Sequence, residues 1–318
     1  MFLKFAIFAA LAWSVLPGWS AEAPTVAPRR PLVVATIFPI YDWTRQIAGD
    51  RIGAIDLVLL QDGGTDFHSY QPTVRDLERI TRCDVFVQVG GESDAWVSGA
   101  LAQNGNPHRR VVNLIRELGA RAKTEKVLEG MQREPSAGAP EVDEHVWLSL
   151  RNAAYLVGPI AEALAQADPA GAAAYRDHAA AYRRQLERLD ADFRTRIARH
   201  ARRNILFGDR FPFRYLADDY GLVCHAAFAG CSAESEASFK TIVFLAQKVD
   251  ALDLPAILTL ERPGHRIAET IRNATKTRRQ KILRMDSLQS VGRADVQHTT
   301  YLSAMQRNLA TLDEALGE

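Results

Sequence analysis

The chain has few cysteines, no excess of either charge and, after its first twenty residues, no long apolar run. Cys83, Cys224 and Cys231 are the only thiols in 318 residues. They are too few for a disulfide scaffold and too widely spaced for a Cys-x-x-Cys zinc site, although an oxidising compartment would permit one disulfide among them. The 39 Lys and Arg residues balance 38 Asp and Glu residues, which excludes a strongly basic nucleic-acid binder and an acidic disordered chain. We therefore expect a protein that folds on its own hydrophobic cores and binds no nucleic acid.

The N-terminus is the one strongly apolar stretch. Lys4 precedes an apolar run over residues 5–16, and Pro17 and small residues up to Ser20 follow it. This pattern predicts an export signal over residues 1–20, cleaved near Ser20, because the run is too short to span a bilayer. No cysteine lies near that point to carry a lipid, and no later segment is apolar for about 18 residues. We expect an exported protein with no membrane anchor of its own.

Short β-branched segments alternate with helical patterns in two sets. The strand patterns cover residues 32–38, 55–60 and 85–89, and then 205–207, 222–228, 257–260 and 282–285. Such alternation predicts mostly parallel sheets. Between the sets, Asp168 as N-cap and Pro169 precede apolar residues that recur at steps of three and four from Tyr175 to Ile197, which indicates one long amphipathic helix. The sequence predicts an α/β protein of two similar lobes, over 31–165 and 202–318, joined by a backbone helix over 166–201.

Two histidines lie where chemistry is expected. His68 follows a Gly63-Gly64 break after a predicted strand, and His145 lies where a polar loop enters an apolar segment. Ligands of α/β proteins bind at the carboxyl ends of parallel strands. Neither histidine has another three or four residues away, so a shared metal site would have to be assembled from distant loops. A structural role for each histidine is the alternative.

Five segments in a fixed order carry a family resemblance. They are residues 66–73 around His68, residues 143–148 around His145, the long helix, residues 215–222 and residues 301–309. Together they resemble the periplasmic zinc- and manganese-binding proteins of metal ABC transporters, from about Pro31 to Leu316. The resemblance implies two lobes on a rigid helix, one divalent metal ion in the cleft between them, a periplasmic location and delivery to the membrane permease of an ABC transporter. We expect a monomer.

The resemblance also implies four ligands, of which His68 and His145 come from the first lobe and Asp286 from the end of a late strand. The family's third ligand is a His or Glu before an aromatic-rich helix start, where this chain has Arg210. Arginine has no acceptor atom for a cation, so Asp209 is the expected substitute, with helix capping as its alternative role. Lesser candidates are acidic residues near the same cleft, for which helix capping is again the alternative: Glu234, Glu236 and Glu261.

Two imidazoles with one or two carboxylates accept either zinc or manganese. Zn²⁺ binds such a set more tightly because Mn²⁺ is lowest in the Irving–Williams order. We therefore expect Zn²⁺ as the bound ion, with Mn²⁺ as the alternative, and capture and delivery without bond making or breaking. A metal-dependent adhesin is the alternative binding function. A zinc hydrolase with Glu234 as general base is the alternative enzyme, but no His-Glu-x-x-His or Gly-x-Ser-x-Gly string supports it.

Overall fold

The computed structural model describes residues 29–102, 105–132, 141–231, 236–261 and 265–317. The predicted export signal over residues 1–20 lies outside these ranges. Within them, no helix combines the length and the apolar character needed to cross a membrane.

The first lobe is a parallel sheet with helices on its faces. Its four strands are β1 (Leu32–Ala35), β2 (Asp56–Leu59), β3 (Val85–Gln88) and β4 (Arg110–Asn113), in the order β2-β1-β3-β4. Its helices are α1 (Phe38–Ala48), α2 (Val74–Arg82), α3 (Val97–Leu101), α4 (Leu114–Leu118) and α5 (Leu150–Ala167). Short 3₁₀ helices at Phe67–Ser69 and Val146–Leu148 carry or follow the two singled-out histidines.

The second lobe repeats this plan. Its four strands are β5 (Asn204–Phe211), β6 (Val223–Ala229), β7 (Ala256–Thr259) and β8 (Lys281–Arg284), parallel in the order β6-β5-β7-β8. Its helices are α7 (Arg214–Tyr220), α8 (Phe239–Ala251), α9 (Arg266–Ala274), α10 (Arg293–Val296) and α11 (Tyr301–Leu316). The two sheets confirm the predicted two-lobed α/β fold.

The long helix joins the lobes as predicted. A 3₁₀ turn at Pro169–Gly171 leads into α6 (Ala172–Arg199), which is about 42 Å long at ~1.5 Å per residue. Every apolar residue of the predicted stripe, from Tyr175 to Ile197, is buried. The helix packs against α1 and α5 of the first lobe and against α11 of the second. One difference is at Asp168, whose side chain makes no cap hydrogen bond and instead accepts from Arg51 and the Tyr175 hydroxyl.

Loops from the two lobes contact one another where the strands end. The 3₁₀ helix that carries His68 follows β2, and its Phe67 amide donates to the Gln289 carbonyl beyond β8. The Trp147 indole, two residues after His145, donates to the Ser287 carbonyl in the same loop. These contacts bring the candidate ligands of the two lobes to one region of the molecule.

Candidate metal centre

The side chains of His68 and His145 face each other. Their Nε2 atoms lie 3.0 Å apart. His145 is fully buried, and the His68 side chain is 9% exposed. The two residues lie 77 positions apart in the chain, so the fold alone makes this pair.

The outer hydrogen bonds of the two rings assign their tautomers. The Asp143 carboxylate lies 2.9 Å from His145 Nδ1 and accepts its proton. The Ser93 hydroxyl, which donates to Glu144 Oε2, lies 2.8 Å from His68 Nδ1 and accepts its proton. Both Nδ1 atoms therefore carry hydrogen, and both Nε2 atoms present lone pairs toward the same point.

Two lone pairs at this separation repel each other unless a proton or a metal ion lies between them. Two nitrogens on one tetrahedral zinc ion, at ~2.0–2.1 Å each, are about 3.3 Å apart. The observed 3.0 Å is close to that value. In metal-bound histidines, the ring N–H group that does not contact the metal usually donates a hydrogen bond to a carboxylate or another acceptor. Both rings make such a bond here.

Behind His68 lies a buried carboxylate that fixes Ser93. Glu144 Oε1 accepts from the Ser93 amide at 2.8 Å. Burial raises the pKa of Glu144, and the two hydrogen bonds from Ser93 oppose that shift. The Glu144 carboxylate also lies 3.5 Å from His68 Nδ1, so it adds negative potential next to a site that would hold a cation.

Cys231 completes a group of three possible ligands. Its Sγ and one ring nitrogen each of His68 and His145 all lie within 4.8 Å of one another, and the part of the chain described here contains no other such group of three or more. Sequence reasoning considered Cys231 only as a possible disulfide partner. None of the three cysteines, all of which are described, is paired. The sequence feature that could have identified Cys231 as a candidate ligand is its position as a lone cysteine just beyond a strand end of the second lobe.

Asp209, the predicted third ligand, lies in β5 and makes backbone hydrogen bonds. Its Oδ1 accepts from the Arg210 amide at 2.8 Å, and its Oδ2 accepts from the Leu260 amide at 3.2 Å. The side chain therefore links β5 to the residue after β7. It does not cap α7, whose N-cap is Phe213. The structure does not bring Asp209 into the group formed by the two histidines and Cys231.

Arg210 forms an ion pair with a buried carboxylate. Its guanidinium lies 2.6 Å from Asp66 Oδ2, and the Asp66 side chain is 1% exposed. Asp66 is also the N-cap of the 3₁₀ helix that carries His68. The arginine that departs from the family pattern thus has a partner carboxylate at the edge of the site.

Asp286 lies in the loop after β8, beside a pocket of about 390 Å³ that Glu261 and Arg307 also line. Its Oδ1 accepts from the Leu288 amide at 2.9 Å. Burial raises the pKa of Asp286, while the Arg307 cation opposes that shift. Glu261 accepts two hydrogen bonds from Ser287, and burial together with the Asp286 charge raises its pKa.

The other predicted ligands lie outside this three-residue group or outside the described residues. Asp286, like Asp209, is not a member of the three-residue group in the described ranges. Glu236 is exposed. Glu234 lies outside the described residues.

Comparison with known proteins gives the family. Residues 33–315 match the family model described as zinc-uptake complex component A, periplasmic (ZnuA). The high-affinity zinc uptake system protein ZnuA of Bacillus subtilis is 26% identical over 284 residues, which cover 89% of this chain and 87% of that protein.

Solved structures agree with this match. The periplasmic zinc-binding protein TroA of Treponema pallidum aligns with a TM-score of 0.74 and 26% identity, over 91% of this chain and 100% of that one. The Zn(II)-bound ZnuA-like domain of Streptococcus pneumoniae AdcA aligns with a TM-score of 0.71 and 25% identity, over the same shares. The chain belongs to the ZnuA family of periplasmic zinc-uptake components.

Proposed function

We propose that this protein captures a Zn²⁺ ion between His68 and His145 and delivers it, from the periplasm and as a monomer, to the permease of an ABC transporter. The observation that carries the proposal is the pair of Nε2 atoms that face each other 3.0 Å apart. Both rings are held by outer acceptors in the orientation that metal-bound histidines usually adopt. The family and its zinc-binding relatives support zinc as that cation.

The mechanism is capture and release. The buried position of His145 removes water from one side of the ion, which strengthens its binding. The ligands come from loops, and small loop shifts suffice to open the site when the protein docks on its permease. Mn²⁺ is the alternative cargo, and it competes poorly for imidazole nitrogens. Asp209 and Asp286 remain predicted ligands, and the titration described below includes their alanine variants.

Calorimetric titration of chelator-stripped protein with Zn²⁺ and with Mn²⁺ tests the proposal. We expect one tight zinc equivalent whose affinity falls by at least about 100-fold in His68→Ala and in His145→Ala. His108→Ala is the matched control, since His108 is exposed and, among the described residues, it forms a hydrogen bond through its amide alone. Titration of Asp209→Ala and Asp286→Ala decides whether either carboxylate contributes.

Zinc binding that survives loss of both histidines would overturn the proposed site. Delivery is tested separately by deleting the gene from its source bacterium and measuring zinc-limited growth. Wild-type protein should restore growth, and the His68→Ala variant should not. Unchanged zinc uptake in the deletion strain, measured in the absence of other zinc importers, would overturn the transport function.

A further inference from the structure

We propose that Cys231 supplies the third protein ligand of the captured ion, which makes the site a His₂Cys centre that selects Zn²⁺ over Mn²⁺. This inference rests on the proposed function and deepens it. The group of His68, His145 and Cys231 is the observation behind it.

The distances suit one tetrahedral ion. With Zn–N at ~2.0–2.1 Å and Zn–S at ~2.3 Å, the nitrogen-to-sulfur separation is about 3.6 Å. The three candidate ligand atoms lie within 4.8 Å of one another. Their nitrogen-to-sulfur separations therefore exceed the value for one bound ion by at most about 1.2 Å, which small side-chain movements can close. The fourth position stays open to water or to a carboxylate.

The backbone around Cys231 is held against the site. A Cβ on Gly230 would lie 2.8 Å from His145 Cε1 and 3.0 Å from the Phe211 carbonyl, so the chain passes directly over the imidazole. The Cys231 amide donates to Glu125 Oε1 at 3.2 Å. The thiol is therefore positioned by packing and by a hydrogen bond from a different segment of the chain.

A thiolate changes what the site prefers. Sulfur is a soft ligand that favours Zn²⁺ and related ions, whereas Mn²⁺ favours oxygen. When the sulfur binds zinc, the S–H bond breaks, its proton passes to the solvent and a Zn–S bond forms, with no change of oxidation state. A set of two imidazoles and one thiolate should therefore discriminate against Mn²⁺ more strongly than the family's set of imidazoles and carboxylates.

Cobalt substitution gives a direct readout of sulfur ligation. We expect Co²⁺-loaded wild-type protein to show thiolate-to-cobalt charge-transfer absorption in the near ultraviolet. That absorption should disappear in Cys231→Ser and persist in Cys224→Ala, the control that removes a buried thiol. The Zn²⁺ affinity of Cys231→Ser should fall at least about 10-fold, with the Mn²⁺ affinity changed less.

A measurement on the unmodified chain covers the case in which Cys231→Ser does not fold. Zinc K-edge X-ray absorption spectroscopy of wild-type protein with one equivalent of Zn²⁺ should show a sulfur neighbour at ~2.3 Å. A cobalt spectrum without charge transfer, or a zinc spectrum without a sulfur neighbour, would overturn the inference. Zinc affinity that falls in His68→Ala but stays unchanged in Cys231→Ser would exclude Cys231 as a ligand and leave the proposed function standing. Zinc affinity unchanged in both variants would overturn both this inference and the proposed function.

Discussion

The ion pair between Arg210 and Asp66 predicts a large loss of stability when Arg210 is replaced by methionine. The guanidinium lies 2.6 Å from Asp66 Oδ2, and the Asp66 side chain is 1% exposed. Asp66 also accepts from the His68 amide at 3.0 Å and from the Gln289 side chain at 3.1 Å. Arg210→Met keeps these two neutral donors and removes the cation from a buried carboxylate.

Removing one partner of a buried ion pair costs about 3–5 kcal/mol, because that partner no longer offsets the desolvation of the remaining charge. We expect the free energy of unfolding to fall by that amount at neutral pH. The double variant Asp66→Asn/Arg210→Met should recover more than half of the loss, since neither charge remains. Lys281→Met is the matched control: its pair with Glu314 is exposed, at 66% and 46%, and should contribute less than about 1 kcal/mol.

Urea denaturation of metal-free protein, followed by circular dichroism, measures these differences provided that the denaturant slopes agree among the variants. A single variant within about 1 kcal/mol of wild type would refute the argument that Arg210 compensates a buried charge. So would a double variant no more stable than Arg210→Met. Because Asp66 caps the 3₁₀ helix that carries His68, Arg210→Met should also weaken zinc binding.

Three further predictions concern the surroundings of the site. Gly230→Ala places a Cβ 2.8 Å from His145 Cε1 and should weaken zinc binding about 10-fold in calorimetry. Gly53→Ala is the control, because no atom lies within 4 Å of its Cβ, and it should leave zinc binding unchanged. Equal zinc affinities of the two variants would contradict the packing argument. Asp143→Ala removes the carboxylate that accepts the His145 Nδ1 proton, and calorimetry should show a zinc affinity lower by about 10–100-fold. A variant with wild-type affinity would show that this acceptor is dispensable. Burial raises the pKa of Asp94 from 3.8 to about 7, so the folded protein holds an extra proton between those pH values and its stability falls as the pH rises through them. Urea denaturation should show that the unfolding free energy of Asp94→Asn, relative to that of wild type, increases by up to about 4 kcal/mol from pH ~4 to pH ~8. Parallel pH profiles of the two proteins would refute this.

Patterns local in the chain gave most of the fold. The stripe from Tyr175 to Ile197 predicted the long helix because burial on one helix face leaves a regular spacing. The strand β4 was missed: its sequence, Arg110–Asn113, has only two apolar residues, and it pairs along one side with β3 at the sheet edge. An edge strand needs no continuous apolar run, so its sequence carries little signal.

The two histidines were predictable because local sequence marks their positions. His68 follows a predicted strand and His145 lies where a polar loop enters an apolar segment, and the structure places them face to face. The roles of Asp209 and Asp286 came from the family resemblance. The hydrogen bond that Asp209 accepts from the Leu260 amide could not be predicted from sequence, because it depends on how β5 lies beside β7.

The arrangement of neighbouring strands explains how the centre accommodates an arginine in β5. Strand β6 runs parallel to β5, with Arg210 opposite Phe228 and Phe211 opposite Ala229. Because parallel strands end at the same edge of a sheet, a residue just beyond β6 reaches the same region as one at the end of β5. Cys231 occupies that place, while the Arg210 charge is compensated by Asp66. Exchange of a ligand position between adjacent strands keeps the fold and both histidines, and it alters which metal ion the site prefers.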